Sequence, residues 1–203
     1  MRRLNELACQ QDDCDVLAHT GDCLSDFSHQ VPIEWDEWPQ KVKLSIPGNH
    51  GDHSETFESH HNWIHKAPWH YLLADVLFIG FDLERKRWPG YLEERKNLCD
   101  GAKAIVLLSH WRPLVQREPR FAQALAEFIG GREMLILHGH EHPKDFSGSD
   151  WDSEASFCGR RFYRSHVCSS VSACRGVGHR ITWNDQSFEY SKVRGESDGT
   201  TIK

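Results

Sequence analysis

Five side chains of this chain have the chemistry and the placement to hold a metal ion: Asp22, Asn49, His110, His140 and His142. Each stands just past a short apolar run. Asp22 follows Val16-Leu17-Ala18, Asn49 follows the alternating Val42 to Ile46, His110 follows Ala104 to Leu108, and His140 and His142 follow Met134 to Leu137. Such runs read as strands, and residues just past a strand end sit on loops held by a rigid sheet, where ligands and reacting groups collect. A carboxylate, an amide oxygen and imidazoles make a mixed oxygen and nitrogen donor set without thiolate. That set suits Mn, Fe, Zn or Co better than a cysteine-type structural zinc site. Asp22 carries two oxygens and can bridge two ions about 3.5–4 Å apart, the separation used in two-metal hydrolysis. His140 and His142 are too close in sequence to share a helical face but suit a strand end or tight turn.

Taken singly, each of these residues has a plainer reading. Asp22 after Gly21 is also a turn former or helix cap, and His110 is also a satisfied strand-end histidine. Gly139-His140-Glu141-His142 is harder to explain as packing. What joins them is repetition: four motifs in chain order, each at a strand end, whose loops are expected to converge at one edge of a sheet. Open α/β folds place ligands at the carboxyl ends of their strands.

The elements that must carry these loops can be read in order. Residues 2–11 have helical spacing, and residues 15–19 are expected as a short buried strand leading to Asp22. Residues 24–40, with Pro32 and Pro39, are expected as loop with some helix. Strand 41–46 ends at Pro47-Gly48 and delivers Asn49. A helix capped by Ser54 is expected to run to His65, followed by strands 69–73 and 76–81. Residues 91–98 are helical in pattern, 104–108 is a buried strand, and 121–129 is a helix stopped by Gly130-Gly131. Residues 133–137 form another buried strand. After Pro143 a polar loop gives way to short strands at 161–164, 178–183 and 187–190, with an Asn184-Asp185 turn. Alternating strands and helices closed by a β-rich end make an α/β domain over residues 1–193, with 194–203 a polar, disordered tail.

Composition narrows the classes. The 203 residues suffice for one full core. A formal charge of −6 argues against a broad nucleic-acid or membrane footprint. Cys9, Cys14, Cys23, Cys99, Cys158, Cys168 and Cys174 form no CxxC pair and are odd in number, which reads as reduced thiols serving as small core residues. No apolar leader or long apolar run is present, so the sequence reads as a cytoplasmic protein. His60, His61, His65 and His70 read as surface residues, and Trp35, Trp38 and Trp151 as core or loop packing.

Thr20-Gly21-Asp22, Gly48-Asn49-His50, Ser109-His110 and Gly139-His140-Glu141-His142 together resemble the second to fifth motifs of the calcineurin-like metallophosphoesterases. The resemblance spans residues 15–142. It implies two mixed β-sheets sandwiched between helices in a four-layer α/β arrangement. It also implies that Asp22 bridges two metals, that Asn49, His110 and His140 complete one site, and that His142 joins Asp22 at the other. His50 would be the catalytic residue, contacting the scissile phosphate or protonating the leaving oxygen. The expected activity is hydrolysis of a small phosphomonoester or phosphodiester by metal-activated water, with Mn, Fe or Zn as cofactor. Long nucleic acids fit the acidic balance poorly.

The pattern also departs from that family. Its opening Asp-x-His motif has no counterpart before Asp22, so the sequence reads as N-terminally truncated, with a one-metal or impaired enzyme, or a non-catalytic protein-binding scaffold, as the alternatives. Gly51 stands where an Asp usually follows the Gly-Asn-His, with Asp52 one position later. Trp111 stands where many members carry a second His.

Overall fold

The computed structural model describes residues 9–21, 37–49, 63–64, 67–81, 87–111, 119–140, 153–157, 160–167 and 177–194. Two parallel-stranded units carry the fold. Strands β1 (Val16–His19), β2 (Val42–Ser45) and β3 (Trp63–Ile64) pair in parallel in the order β1-β2-β3. The larger sheet runs β4-β5-β6-β7-β9-β8 and contains β4 (Trp69–Leu73), β5 (Val76–Phe81), β6 (Ala104–Ser109), β7 (Glu133–His138), β8 (Ser153–Phe157) and β9 (Arg160–Val167). β5, β6, β7 and β9 are parallel, and the edge strands β4 and β8 are antiparallel to their neighbours. A separate hairpin, β10 (Val177–Trp183) and β11 (Phe188–Arg194), is closed at Asn184, whose side-chain oxygen accepts the backbone N–H groups of Gln186 and Ser187. This is an α/β fold with mixed sheets and few helices among the described residues.

The central strands explain themselves. Every residue of β6 is buried, as expected of a parallel strand covered on both faces. Its alternation splits the core cleanly. Ile105 and Leu107 join Leu77, Ile79, Phe81, Met134 and Ile136 under helices α1 (Trp88–Glu94) and α2 (Pro119–Ile129). Ala104, Val106 and Leu108 join Leu135 and Leu137 on the opposite face, against Leu44 and Ile46 of the small sheet and Phe188 of the hairpin. The large sheet therefore lies between a helical layer and the small sheet.

Trp69 ties the two sheets. Its ring covers the position opposite it, where a Cβ on Gly80 would come within 2.2 Å of the indole. Its Nε1–H donates across the gap to the Ser45 carbonyl at 2.8 Å. A side chain at residue 80 would evict the ring that makes this bond.

Several local expectations need correction. The helix expected from Ser54 to His65 does not reach its far end, because Trp63–Ile64 pairs with Lys43 and Leu44 as a strand; residues 54–62 and 65 lie outside the described residues. The helix expected over 91–98 begins earlier, with Pro89 in its first turn, where a missing N–H does no harm. It ends at Glu94 and continues as a tighter 3-10 turn, Lys96–Cys99, that brings Cys99 into the core. There the thiol donates to the Phe128 carbonyl at 3.2 Å, and burial pushes its pKa up to about 11. Cys9 is exposed and Cys14 half-buried, so those two are not core residues. β8 had no counterpart in the sequence reading, and β11 extends to Arg194, the first residue of the expected tail. Among the described residues no helix is long and apolar enough to cross a membrane.

Two ion-pair clusters bind the hairpin to the rest of the chain. Lys103 reaches both Asp75, at 2.9 Å, and Asp185, at 3.3 Å. Arg180 grips Asp13 with two nitrogens, at 3.0 and 2.6 Å. That hydrogen bond holds the Asp13 pKa below its ordinary 3.8. A depressed carboxylate pKa stabilises the fold above the unfolded-state value, and the gain is lost as pH falls through the folded-state value. The urea midpoint of wild type is therefore expected to exceed that of Arg180→Gln at pH 6. The gap should close as pH is lowered below 3.8. A gap that is constant across this range would mean that Arg180 acts by packing alone.

Candidate metal centre

Four loops meet where the carboxyl ends of the two sheets face each other. Thr20-Gly21 follows β1, Gly48-Asn49 follows β2, His110-Trp111 follows β6, and Gly139-His140 follows β7. The sequence led to one sheet edge; the structure instead brings donors from two sheets across the gap between them. The parity of β6 makes this possible. Residues 104, 106 and 108 face the small sheet, and the next residue of that parity is His110. Its ring is 1% exposed.

His110 is held at both nitrogens. Nδ1 lies 2.7 Å from the Thr20 carbonyl oxygen and Nε2 lies 2.8 Å from Asn49 Oδ1. A carbonyl only accepts, so Nδ1 must carry a hydrogen. In the neutral ring Nε2 then has a bare lone pair aimed at the lone pairs of Oδ1. Two acceptors 2.8 Å apart repel unless positive charge lies between or beside them, either a second proton on the ring or a metal ion. An amide turned over would present Nδ2 to the ring as a donor and need no cation; it is Oδ1 that faces His110.

His140 completes the cluster from the second loop of the large sheet. Its Nδ1 is 2.9 Å from the same Asn49 Oδ1. Strand parity would send residue 140 toward the helices, with residues 134 and 136. His140 has φ +64°, a left-handed conformation uncommon outside glycine, and this redirects its chain. Such a backbone costs of order 1–3 kcal/mol and persists only where surrounding contacts impose it. The separations of 2.8 and 2.9 Å suit neighbouring ligands of one octahedral ion, since bonds of about 2.1 Å at right angles leave donors about 3 Å apart. An Nδ1–H committed to a backbone carbonyl, as in His110, is also the usual way a protein fixes a ligand imidazole with Nε2 free to bind metal. The three donors thus fit a transition-metal ion.

Glycines make the convergence possible. A Cβ on Gly21 would come within 2.6 Å of His110 Nδ1 and 2.8 Å of the Gly48 Cα, and one on Gly139 within 2.7 Å of the Thr20 oxygen. Gly21 also has φ +89°, and its N–H donates to His19 Nδ1 at 3.1 Å. Trp111 closes one side, with its ring centroid 3.6 Å from that of His140.

Of the residues expected to bind metal, Asn49, His110 and His140 are brought together. Asp22 and His142, and the expected catalytic His50, lie outside the described residues, as do His60, His61, His65 and the Trp35 and Trp151 positions. Trp38 is buried as expected, and His70 is exposed on β4, 3.2 Å from the Tyr91 hydroxyl. Among the described residues no group of three or more His, Cys, Asp and Glu side chains could hold a metal ion; the donors that meet are two imidazoles and an amide oxygen. Two contributions were missed in the sequence: the Thr20 carbonyl, which sets the His110 tautomer, and the turn-holding His19. A histidine ending an apolar run was the available signal for the second, and nothing local marks the first. No protein-family profile, curated protein or solved structure matches the chain.

Proposed function

We propose that the chain is a metal-dependent phosphoesterase, hydrolysing a phosphomonoester or phosphodiester. The observation that carries this reading is the junction of Asn49 Oδ1 with His110 Nε2 and His140 Nδ1 at 2.8 and 2.9 Å, with His110 Nδ1 already committed to Thr20. These three residues would hold one ion, with Asp22 beside them and shared with a second ion that His142 helps to bind. The helical layer, the large mixed sheet and the small parallel sheet are in keeping with the metallophosphoesterase sandwich.

A bound transition-metal ion supplies Lewis acidity toward the phosphoryl oxygens and a water that ionises near neutral pH. The protein's part is positional. Thr20 keeps the His110 ring turned with Nε2 inward, and Asn49 offers a neutral oxygen that adds no charge to repel phosphate. His50, directly after Asn49, contacts the phosphate and donates a proton to the leaving oxygen. An imidazole suits this role because its unperturbed pKa, about 6.5, lies close to neutrality.

The test is hydrolysis of an aryl phosphodiester and an aryl phosphomonoester with Mn²⁺ supplied. Metal-dependent release of the phenol that a chelator abolishes is the expected result. His50→Ala should lower kcat by roughly 100-fold or more while metal binding, read by calorimetry, stays near wild type. Metal bound without turnover of either ester would favour a non-catalytic scaffold, and loss of metal with His50 would make His50 a ligand.

A further inference from the structure

We propose that Trp111 is a positioning residue for this centre: its indole sets the ring plane of His140. This rests on the reading of His140 as a metal ligand and adds a residue that chemistry alone would not select. His110 needs no such help, being buried and held at both ring nitrogens. His140 is different. It is half-buried, on a loop, at φ +64°, and its ring lies against the Trp111 indole.

The indole bounds the orientation of the imidazole. The Trp111 and His140 ring centroids are 3.6 Å apart with a 46° tilt, a close ring-on-ring contact. The edge of His110 meets both rings, with centroids 5.1 Å from His140 and 5.5 Å from Trp111. Trp111 is itself anchored by its own turn, in which the fully buried Ser109 donates its hydroxyl to the Trp111 carbonyl at 2.7 Å. The chain of support therefore runs from β6 through Ser109 to Trp111 and on to His140, which belongs to the neighbouring strand's loop. The indole also covers one side of the imidazole, and a drier surround strengthens the attraction between donor and cation.

The experiment is Co²⁺ binding, by calorimetry, to wild type, Trp111→Ala, Trp111→Leu, Trp111→Phe and His140→Ala, with folding checked by circular dichroism. Trp111→Ala should weaken Co²⁺ binding roughly 10-fold, the lower end of what loss of a ligand-orienting neighbour produces. Trp111→Leu should behave like Ala despite its bulk, and Trp111→Phe should recover most of the affinity because a flat ring is restored. If Trp111→Ala does not fold, Trp111→Leu carries the same expectation. A metal-free readout accompanies it: the His140 ring protons should be shifted upfield by the indole in proton NMR, and the shift should vanish in Trp111→Leu and persist in part in Trp111→Phe. Wild-type affinity in Trp111→Leu, with binding lost in His140→Ala, overturns the role of Trp111 and spares the site. Wild-type affinity in His140→Ala, or no Co²⁺ binding by wild type, overturns the metal site and this inference with it.

Discussion

Replacing His110 by alanine should remove metal binding and phosphoester hydrolysis together. The ring donates to Thr20, faces Asn49 and fills a site that is 1% exposed. On the proposed metal site its removal would take away a ligand, so affinity should fall by more than the roughly 100-fold upper range for supporting residues. It also opens a cavity and strands the Thr20 carbonyl, at a stability cost of about 3 kcal/mol. Calorimetry with Mn²⁺ and urea unfolding of the same preparations separate the two effects. Asn49→Asp sharpens the interpretation. If a cation lies between Oδ1 and the rings, a carboxylate at residue 49 keeps the metal or holds it tighter. Should Asn49 instead be donating amide hydrogens to two neutral rings, the same change would leave acceptor facing acceptor and destabilise the metal-free protein. His110→Ala binding Mn²⁺ like wild type would end the metal-centre interpretation.

Gly21→Ala should be among the most damaging single-methyl additions in the described part of the fold. The new Cβ would lie 2.6 Å from His110 Nδ1 and 2.8 and 2.9 Å from Gly48 backbone atoms. Two of these neighbours are backbone, which cannot swing aside as a long side chain would. The left-handed φ of +89° adds its own penalty. Strain of this kind costs about 1–3 kcal/mol, and forcing a methyl into a packed site costs about 1–3 kcal/mol more. Gly101→Ala supplies the comparison, because Gly101 has a similar φ of +86° with nothing within 4 Å of the new Cβ. The difference between the two variants in urea unfolding isolates the steric part. Equal losses would show that the four loops are less tightly joined at Gly21 than the distances imply. Gly21→Ala should also weaken metal binding, since His110 must move before anything else can.

Both expectations arise from one feature of the architecture. His110 reaches across from the large sheet to touch two loops of the small one, so the centre is as rigid as the packing of sheet on sheet. Trp69, bonded to Ser45 at 2.8 Å, fixes that packing directly. Residues far from the donors can therefore matter to them without any contact.

Much of this protein could be read directly from residue order. The unbroken apolar runs announced β5 as a strand and β6 and β7 as buried strands, and the spacing of Phe121, Leu125 and Phe128 announced α2. Asn184-Asp185 announced the hairpin. Asn49, His110 and His140 were recognisable because each follows such a run, and their order pointed to a shared centre. These signals are local: periodicity and turn chemistry act over a few residues, so a short window of sequence contains them. The rest was decided by contacts between distant segments. Nothing in Trp63-Ile64 distinguishes a helix end from a two-residue strand until Lys43 and Leu44 lie beside it. No pattern reveals that Asn49 and His110 belong to different sheets, that the Thr20 carbonyl sets an imidazole's tautomer, or that residue 140 leaves its strand's parity at φ +64°. Those features exist only once side chains from separate loops compete for the same few ångströms, and the outcome of that competition is a property of packing.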